Sequence, residues 1–97
     1  MDDQNGEIKW KKVIELDPTY LDARKNLGLV FEKQERYNEA ETEYKKVLEL
    51  DPTDLDARNN LGLIFYNKNK YNEAETEFKK ILELDPKHLI ALKNLAH

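Results

Sequence analysis

The sequence predicts an all-α solenoid of six antiparallel helices. Three observations carry that reading: a 34-residue internal repeat, apolar residues at helical spacing inside each copy, and a Leu-Asp-Pro phrase at the same place in each. The prolines Pro18, Pro52 and Pro86 are 34 residues apart, and residues 21–54 laid over residues 55–88 match at 23 of 34 positions. Several of the mismatches exchange Val for Ile, Tyr for Phe or Arg for Lys, so volume and polarity are kept.

The elements follow in chain order. Trp10 to Pro18 aligns with Tyr44 to Pro52, so the chain opens on a second-type helix in a half repeat, 7–17. In repeat 21–54, Thr19 and Asp22 read as a capping pair for a first helix, as do Thr53 and Asp56 in repeat 55–88. The stripe Leu21, Leu27, Val30 and Phe31, matched by Leu55, Leu61, Ile64 and Phe65, is the buried face of that helix. Polar stretches around 34–36 and 68–70 break it. Asn38 with Glu41, and Asn72 with Glu75, then read as capping pairs of a second helix. Its buried stripe is Ala40, Tyr44, Val47 and Leu48, repeated as Ala74, Phe78, Ile81 and Leu82. Glu41 with Lys45 and Glu75 with Lys79 are i, i+4 pairs in the favourable order. Asp-Pro closes the second helix, because proline disfavours helical geometry in the residue before it. A truncated first-type helix, 89–97, with Leu89, Leu92 and Leu95, completes one domain over 1–97.

Composition narrows the function. With 37% charged residues of both signs and a net charge of −4, the chain has the make-up of surface-rich helices. The absence of cysteine excludes disulfides, thiolate metal sites and thiol nucleophiles. The acidic, polar start is unlike a signal peptide, and no apolar run reaches membrane-spanning length, so an intracellular, cytoplasmic setting is the default expectation. Isolated Gly6, Gly28 and Gly62 form no phosphate loop, and His88 and His97, read as two exposed imidazoles, have no clustered ligands around them. No catalytic constellation, cofactor or metal site is expected. Lys11-Lys12, Lys45-Lys46 and Lys79-Lys80 recur as a stripe, read as helix-end complementation rather than a grip on nucleic acid, because the whole chain is acidic.

The residues Leu27-Gly28, Phe31, Ala40, Tyr44 and Pro52, repeated as Leu61-Gly62, Phe65, Ala74, Phe78 and Pro86, resemble the tetratricopeptide repeat (TPR). The resemblance implies a right-handed superhelix of helical hairpins. In it Gly28 and Ala40 admit close helix approach, while Phe31 and Tyr44 fill gaps between successive hairpins. Arg24 and Arg58 depart from the family by standing where a large aromatic is common, and Val47 and Ile81 where alanine is usual.

The resemblance also implies a scaffold that holds an extended peptide or a helix of another protein in a concave groove lined by first helices. The facing residues are then Asp22, Lys25, Asn26, Leu29, Glu32 and Lys33, followed by Asp56, Asn59, Asn60, Leu63, Tyr66 and Asn67, with Ile90, Lys93 and Asn94 from the last helix. Asn26, Asn60 and Asn94 form one column at the repeat period, and a carboxamide can pair with both N–H and C=O of an extended chain. Another class in the family clamps a terminal carboxylate. Lys25 and Asn60 fit that pattern, but Leu29, Ile90 and Asn94 replace its polar or basic residues. Two other readings stand beside the scaffold: a designed or consensus-like array without a natural ligand, suggested by the near identity of the repeats, and a helical-repeat RNA reader, whose related family uses 35-residue units. The phase of the ends further suggests head-to-tail association or a swapped dimer, with Trp10, Val13 and Ile14 expected to be uncovered and the opening residues as the alternative cap.

Overall fold

The computed structural model describes residues 3–96, and His97 and the first two residues lie outside that range. Among the described residues there are six α-helices: α1 (Asp3–Leu16), α2 (Leu21–Lys33), α3 (Tyr37–Leu50), α4 (Leu55–Asn67), α5 (Tyr71–Leu84) and α6 (Leu89–Leu95). α1 begins four residues before the expected half repeat, in register with α3 and α5, each of which is also 14 residues long. The chain divides into two compact units, Met1–Pro52 and Thr53–His97. In the first, α2 packs on α3 and on α1; in the second, α5 packs on α4 and on α6.

Each helix ends for a local reason. α1, α3 and α5 stop at the leucine before Asp-Pro, and Asp51 (φ −142°) and Asp85 (φ −141°) are extended, as a residue preceding proline must be. Asp17 and Thr19 close the following turn through a 2.7 Å hydrogen bond from the Thr19 hydroxyl to the Asp17 carboxylate. α2 and α4 end in matching turns in which the Arg36 and Lys70 N–H groups reach back 2.8 Å to the Phe31 and Phe65 carbonyls. These turns put Glu35 (φ 58°) and Asn69 (φ 63°) in the left-handed region, which asparagine tolerates and glutamate does not favour.

The capping pairs expected from sequence are corrected. Asp54, not Thr53, precedes α4 and accepts a 3.0 Å hydrogen bond from the Ala57 N–H. Tyr20 precedes α2 without a side-chain cap, and Asn38 and Asn72 sit one residue inside α3 and α5, whose N-caps Arg36 and Lys70 make no capping hydrogen bond. His88, read as an exposed imidazole, is half-buried and caps α6, its Nδ1 accepting from the Ala91 N–H at 3.2 Å.

The core of the first unit is Ala23, Leu27, Phe31, Ala40, Tyr44 and Val47; that of the second is Ala57, Leu61, Ile64, Phe65, Ala74, Phe78, Ile81 and Ala91. Leu27, Phe31, Ala40, Tyr44, Val47 and their repeats are buried as the stripes predict, whereas Leu21, Val30, Leu48, Leu55 and Leu82 of the same stripes are half-buried and Ala23, Ala57 and Ala91 join the core from outside them. Trp10, Val13 and Ile14, expected to be uncovered, are half-buried, whereas Leu89, Ile90 and Leu92 of α6 are exposed.

Tyr44 and Phe78 each fill space inside their own hairpin. A Cβ on Gly28 would lie 2.7 Å from Tyr44 Cζ, and one on Gly62 would lie 2.7 Å from Phe78 Cε1. Glycine is therefore required for close approach, although it costs about 1 kcal/mol of helix propensity. Gly28→Ala is expected to lower stability by about 1–3 kcal/mol despite that propensity gain, because the fully buried Tyr44 ring has nowhere to go. Chemical denaturation checks this, and a stabilised variant would show the contact to be slack.

Candidate functional site

Two ion pairs that the sequence reading missed hold the hairpins in register beneath the candidate groove. Arg24 Nη1 meets Glu43 Oε1 at 3.2 Å, and Arg58 Nη1 meets Glu77 Oε1 at 2.9 Å, with all four side chains only 11–13% exposed. The positions where the family often has an aromatic therefore carry a cross-helix salt bridge. Outside them, Glu41–Lys45 (2.6 Å) and Glu75–Lys79 (2.7 Å) form as expected along exposed helix faces.

In the first unit the predicted residues Asp22, Lys25, Asn26, Leu29 and Lys33 lie along α2, and none of them is buried. Lys25 approaches Asp22 at 3.8 Å. Glu32, on the same helix, accepts a 2.6 Å hydrogen bond from the Tyr44 hydroxyl. Burial raises the Glu32 pKa above the ordinary carboxylate value, and the Tyr44 hydrogen bond offsets only part of that.

A raised folded-state pKa means that the folded chain holds the Glu32 proton more tightly than the unfolded chain. Its favourable contribution is complete below the ordinary carboxylate pKa and is lost as pH rises through the raised one. Glu7 and Glu39 behave oppositely. Hydrogen bonds from Arg36, joined at Glu7 by Lys11, hold both carboxyls below the ordinary value, so their contribution is present at neutral pH and lost on acidification. Glu32→Gln is expected to make the protein more stable than the parent near neutral pH, by a margin that shrinks to nothing as pH falls below the carboxylate range. Urea midpoints measured across that range check it; a margin independent of pH would contradict the assignment.

The second unit gathers more of the predicted site. Asp56, Tyr66, Asn67 and Lys93 are exposed, while Asn59, Asn60, Leu63 and Asn94 are half-buried. Asn94 Nδ2 donates to Asn59 Oδ1 at 3.0 Å, linking α6 to α4. The asparagine column is thereby modified: Asn94 is engaged with Asn59, whereas the Asn26 and Asn60 carboxamides make no side-chain hydrogen bond among the described residues. Leu63, Tyr66, Phe78 and Asn94 line a cavity of about 200 Å³. Beside it, Tyr66 and Tyr71 meet edge to face with centroids 5.1 Å apart, over a second cavity of about 280 Å³ that includes Glu75 and Leu95. The repeats diverge here. Glu32 and Tyr44 of the first unit correspond to Tyr66 and Phe78 of the second, so a carboxylate held by a hydroxyl gives way to an apolar wall.

Comparison with known proteins places this architecture. A tetratricopeptide-repeat family model matches residues 31–96, and the chain belongs to that family. No curated protein matches it. Among solved structures, it is similar to YrrB, described as a TPR protein with an unusual peptide-binding site, with a TM-score of 0.86 and 25% identity over 91% of this chain. It is similar to MamA with a TM-score of 0.84 and 30% identity over 88% of the chain. It is also similar to the second TPR domain of the human RPAP3 protein in complex with the HSP70 peptide SGPTIEEVD, with a TM-score of 0.83 and 25% identity over 90% of the chain. The chain spans 45% of the YrrB chain, 50% of the MamA chain and 72% of the RPAP3 chain. Among the described residues, no helix is long and apolar enough to cross a membrane.

Proposed function

We propose that this chain is a non-catalytic protein-interaction scaffold whose second unit holds an extended segment of a partner protein against α4 and α6. The observation that carries the reading is the Asn60 carboxamide, half-buried and without a side-chain hydrogen bond among the described residues, one turn from the cavity formed by Leu63, Tyr66, Phe78 and Asn94. A carboxamide there offers a donor and an acceptor to a peptide backbone, while the cavity takes an apolar side chain. The engagement of Asn94 with Asn59 fixes the far wall of the site, so less side-chain freedom remains to be lost on binding. The peptide-bound state of the RPAP3 domain and the peptide-binding site ascribed to YrrB support the same class of ligand. On the first unit, Asn26 with Leu29 on α2 repeats the pairing of Asn60 with Leu63 and is proposed as a weaker contact, because the charged Glu32 replaces Tyr66 there.

Panning a random peptide library against the intact chain supplies the ligand. Asn60→Ala is expected to weaken the selected peptide roughly tenfold while leaving stability unchanged, because the lost hydrogen bonds are to ligand and not to core. Equal affinity of both proteins would remove Asn60 from the site. SGPTIEEVD is expected to leave this face unoccupied, with the Asn60 and Leu63 amides unmoved, because Leu29, Ile90 and Asn94 stand where a carboxylate clamp needs polar or basic groups.

A further inference from the structure

We propose that the first unit carries a second and separate binding site, a groove between α1 and α3 floored by α2, that takes a short acidic segment of a partner protein with aliphatic side chains seated between its carboxylates. Its origin is the arginine that stands where the family often has an aromatic. Arg24 is drawn to the Pro18 carbonyl, 3.2 Å from Nε, and to Glu43, 3.2 Å from Nη1. Beside it remains a cavity of about 600 Å³, bounded by Ile8, Lys12 and Ile14 of α1, Leu27 of α2 and Lys46 of α3. That volume is in the range of cavities that hold a ligand, about 300–1,000 Å³. Arg24 and Leu27 also fall on the side of α2 away from Asn26, Leu29 and Lys33, at 3.6 residues per turn. Occupancy of this groove and of the asparagine face are therefore independent.

The lining selects the sign and kind of partner. It carries four cations (Lys11, Lys12, Arg24 and Lys46) against two carboxylates (Glu15 and Glu43), in a chain whose net charge is −4. Lys11 is held by Glu7 at 2.7 Å and Arg24 by Glu43, but Lys12 and Lys46, one from each wall, make no ion pair among the described residues. Two uncommitted ammonium groups facing one groove are complementary to carboxylates spaced along a peptide. The floor is apolar, with Leu27 buried, Ile14 half-buried and Ile8 60% exposed at the rim. A continuous phosphate backbone has no apolar group to place on this floor and meets the Glu15 and Glu43 carboxylates, whereas an acidic peptide with leucines between its carboxylates satisfies both features.

The probe is the capped decapeptide Glu-Leu-Glu-Asp-Leu-Glu-Leu-Asp-Glu-Leu, titrated into the intact ¹⁵N-labelled chain alongside its Gln/Asn counterpart, a decamer of oligouridylate and vesicles of anionic phospholipid. Saturable binding is expected for the acidic peptide alone, with shifts at Lys12, Leu27 and Lys46. The double variant Lys12→Glu/Lys46→Glu should weaken it at least roughly tenfold while its circular dichroism is unchanged, and Asn26→Ala/Asn60→Ala should leave it unaltered. Absence of saturation by millimolar peptide overturns the site. Binding that survives the charge reversal, or that is lost in the asparagine variant, overturns its location without touching the peptide face of α4 and α6. Equal binding of oligouridylate or vesicles overturns its assignment to an acidic protein segment.

Discussion

Phe31→Ala is expected to lower stability by about 3–5 kcal/mol, the cost of emptying a buried aromatic position. Phe31 is 3% exposed, and its ring lies 4.5 Å from the Arg36 guanidinium and 5.8 Å from the Lys11 ammonium, so both cations lose a partner together with the packing. Single domains are stable by about 5–15 kcal/mol in all, so this substitution removes a large share. Circular dichroism during urea denaturation reads it. A change below about 1 kcal/mol would mean that the α2 stripe has been assigned to the wrong face.

The second large effect concerns Glu77, whose side chain is the one charged group classed with the buried residues among those described. Glu77→Ala is expected to cost about 3 kcal/mol, because it removes the carboxylate paired at 2.9 Å with the largely buried Arg58 guanidinium and opens a cavity in the hairpin. Lys80, 3.7 Å from the other carboxylate oxygen, gains nothing from the change and is exposed enough to turn to water. Replacing both partners by apolar residues, Arg58→Met with Glu77→Leu, is expected to recover most of the loss or to exceed parental stability. A double-mutant cycle separates the pair from its surroundings, and additive single effects would show that the two charges do not interact.

Periodicity and prolines made the helices legible in the sequence. The buried stripes of α2 to α5 are those read from Leu27, Phe31, Ala40, Tyr44 and their repeats, because an amphipathic helix writes its core face at fixed spacing. Capping was misread for a local reason. Thr53 and Asp54 are both good cap residues one position apart, and only the backbone decides which precedes the first helical turn; the structure places Asp54 there. Asn38 and Asn72 read as caps on residue preference alone, yet the chain leaves the left-handed turns at Glu35 and Asn69 and enters α3 and α5 two residues earlier than a cap at those positions requires. The cross-helix ion pairs could have been found, since Arg24 with Glu43 and Arg58 with Glu77 repeat at the same 19-residue separation in both copies. What no spacing rule supplies is side-chain choice at the site. Asn59 and Asn60 are neighbours in sequence, and only packing of α6 against α5 determines that Asn94 engages the former and leaves the latter open.

The central claim is that the α4 and α6 face of the second unit receives an extended partner segment. Its most direct test is amide shift mapping of the ¹⁵N-labelled chain with the library-selected peptide, followed by transferred contacts to the Tyr66 ring. The account predicts the largest shifts at Asn60, Leu63, Tyr66 and Asn94, with contacts from one apolar peptide side chain to Tyr66 and Phe78. Shifts confined to α5 residues remote from that cavity, with Asn60 and Leu63 unmoved, would contradict it.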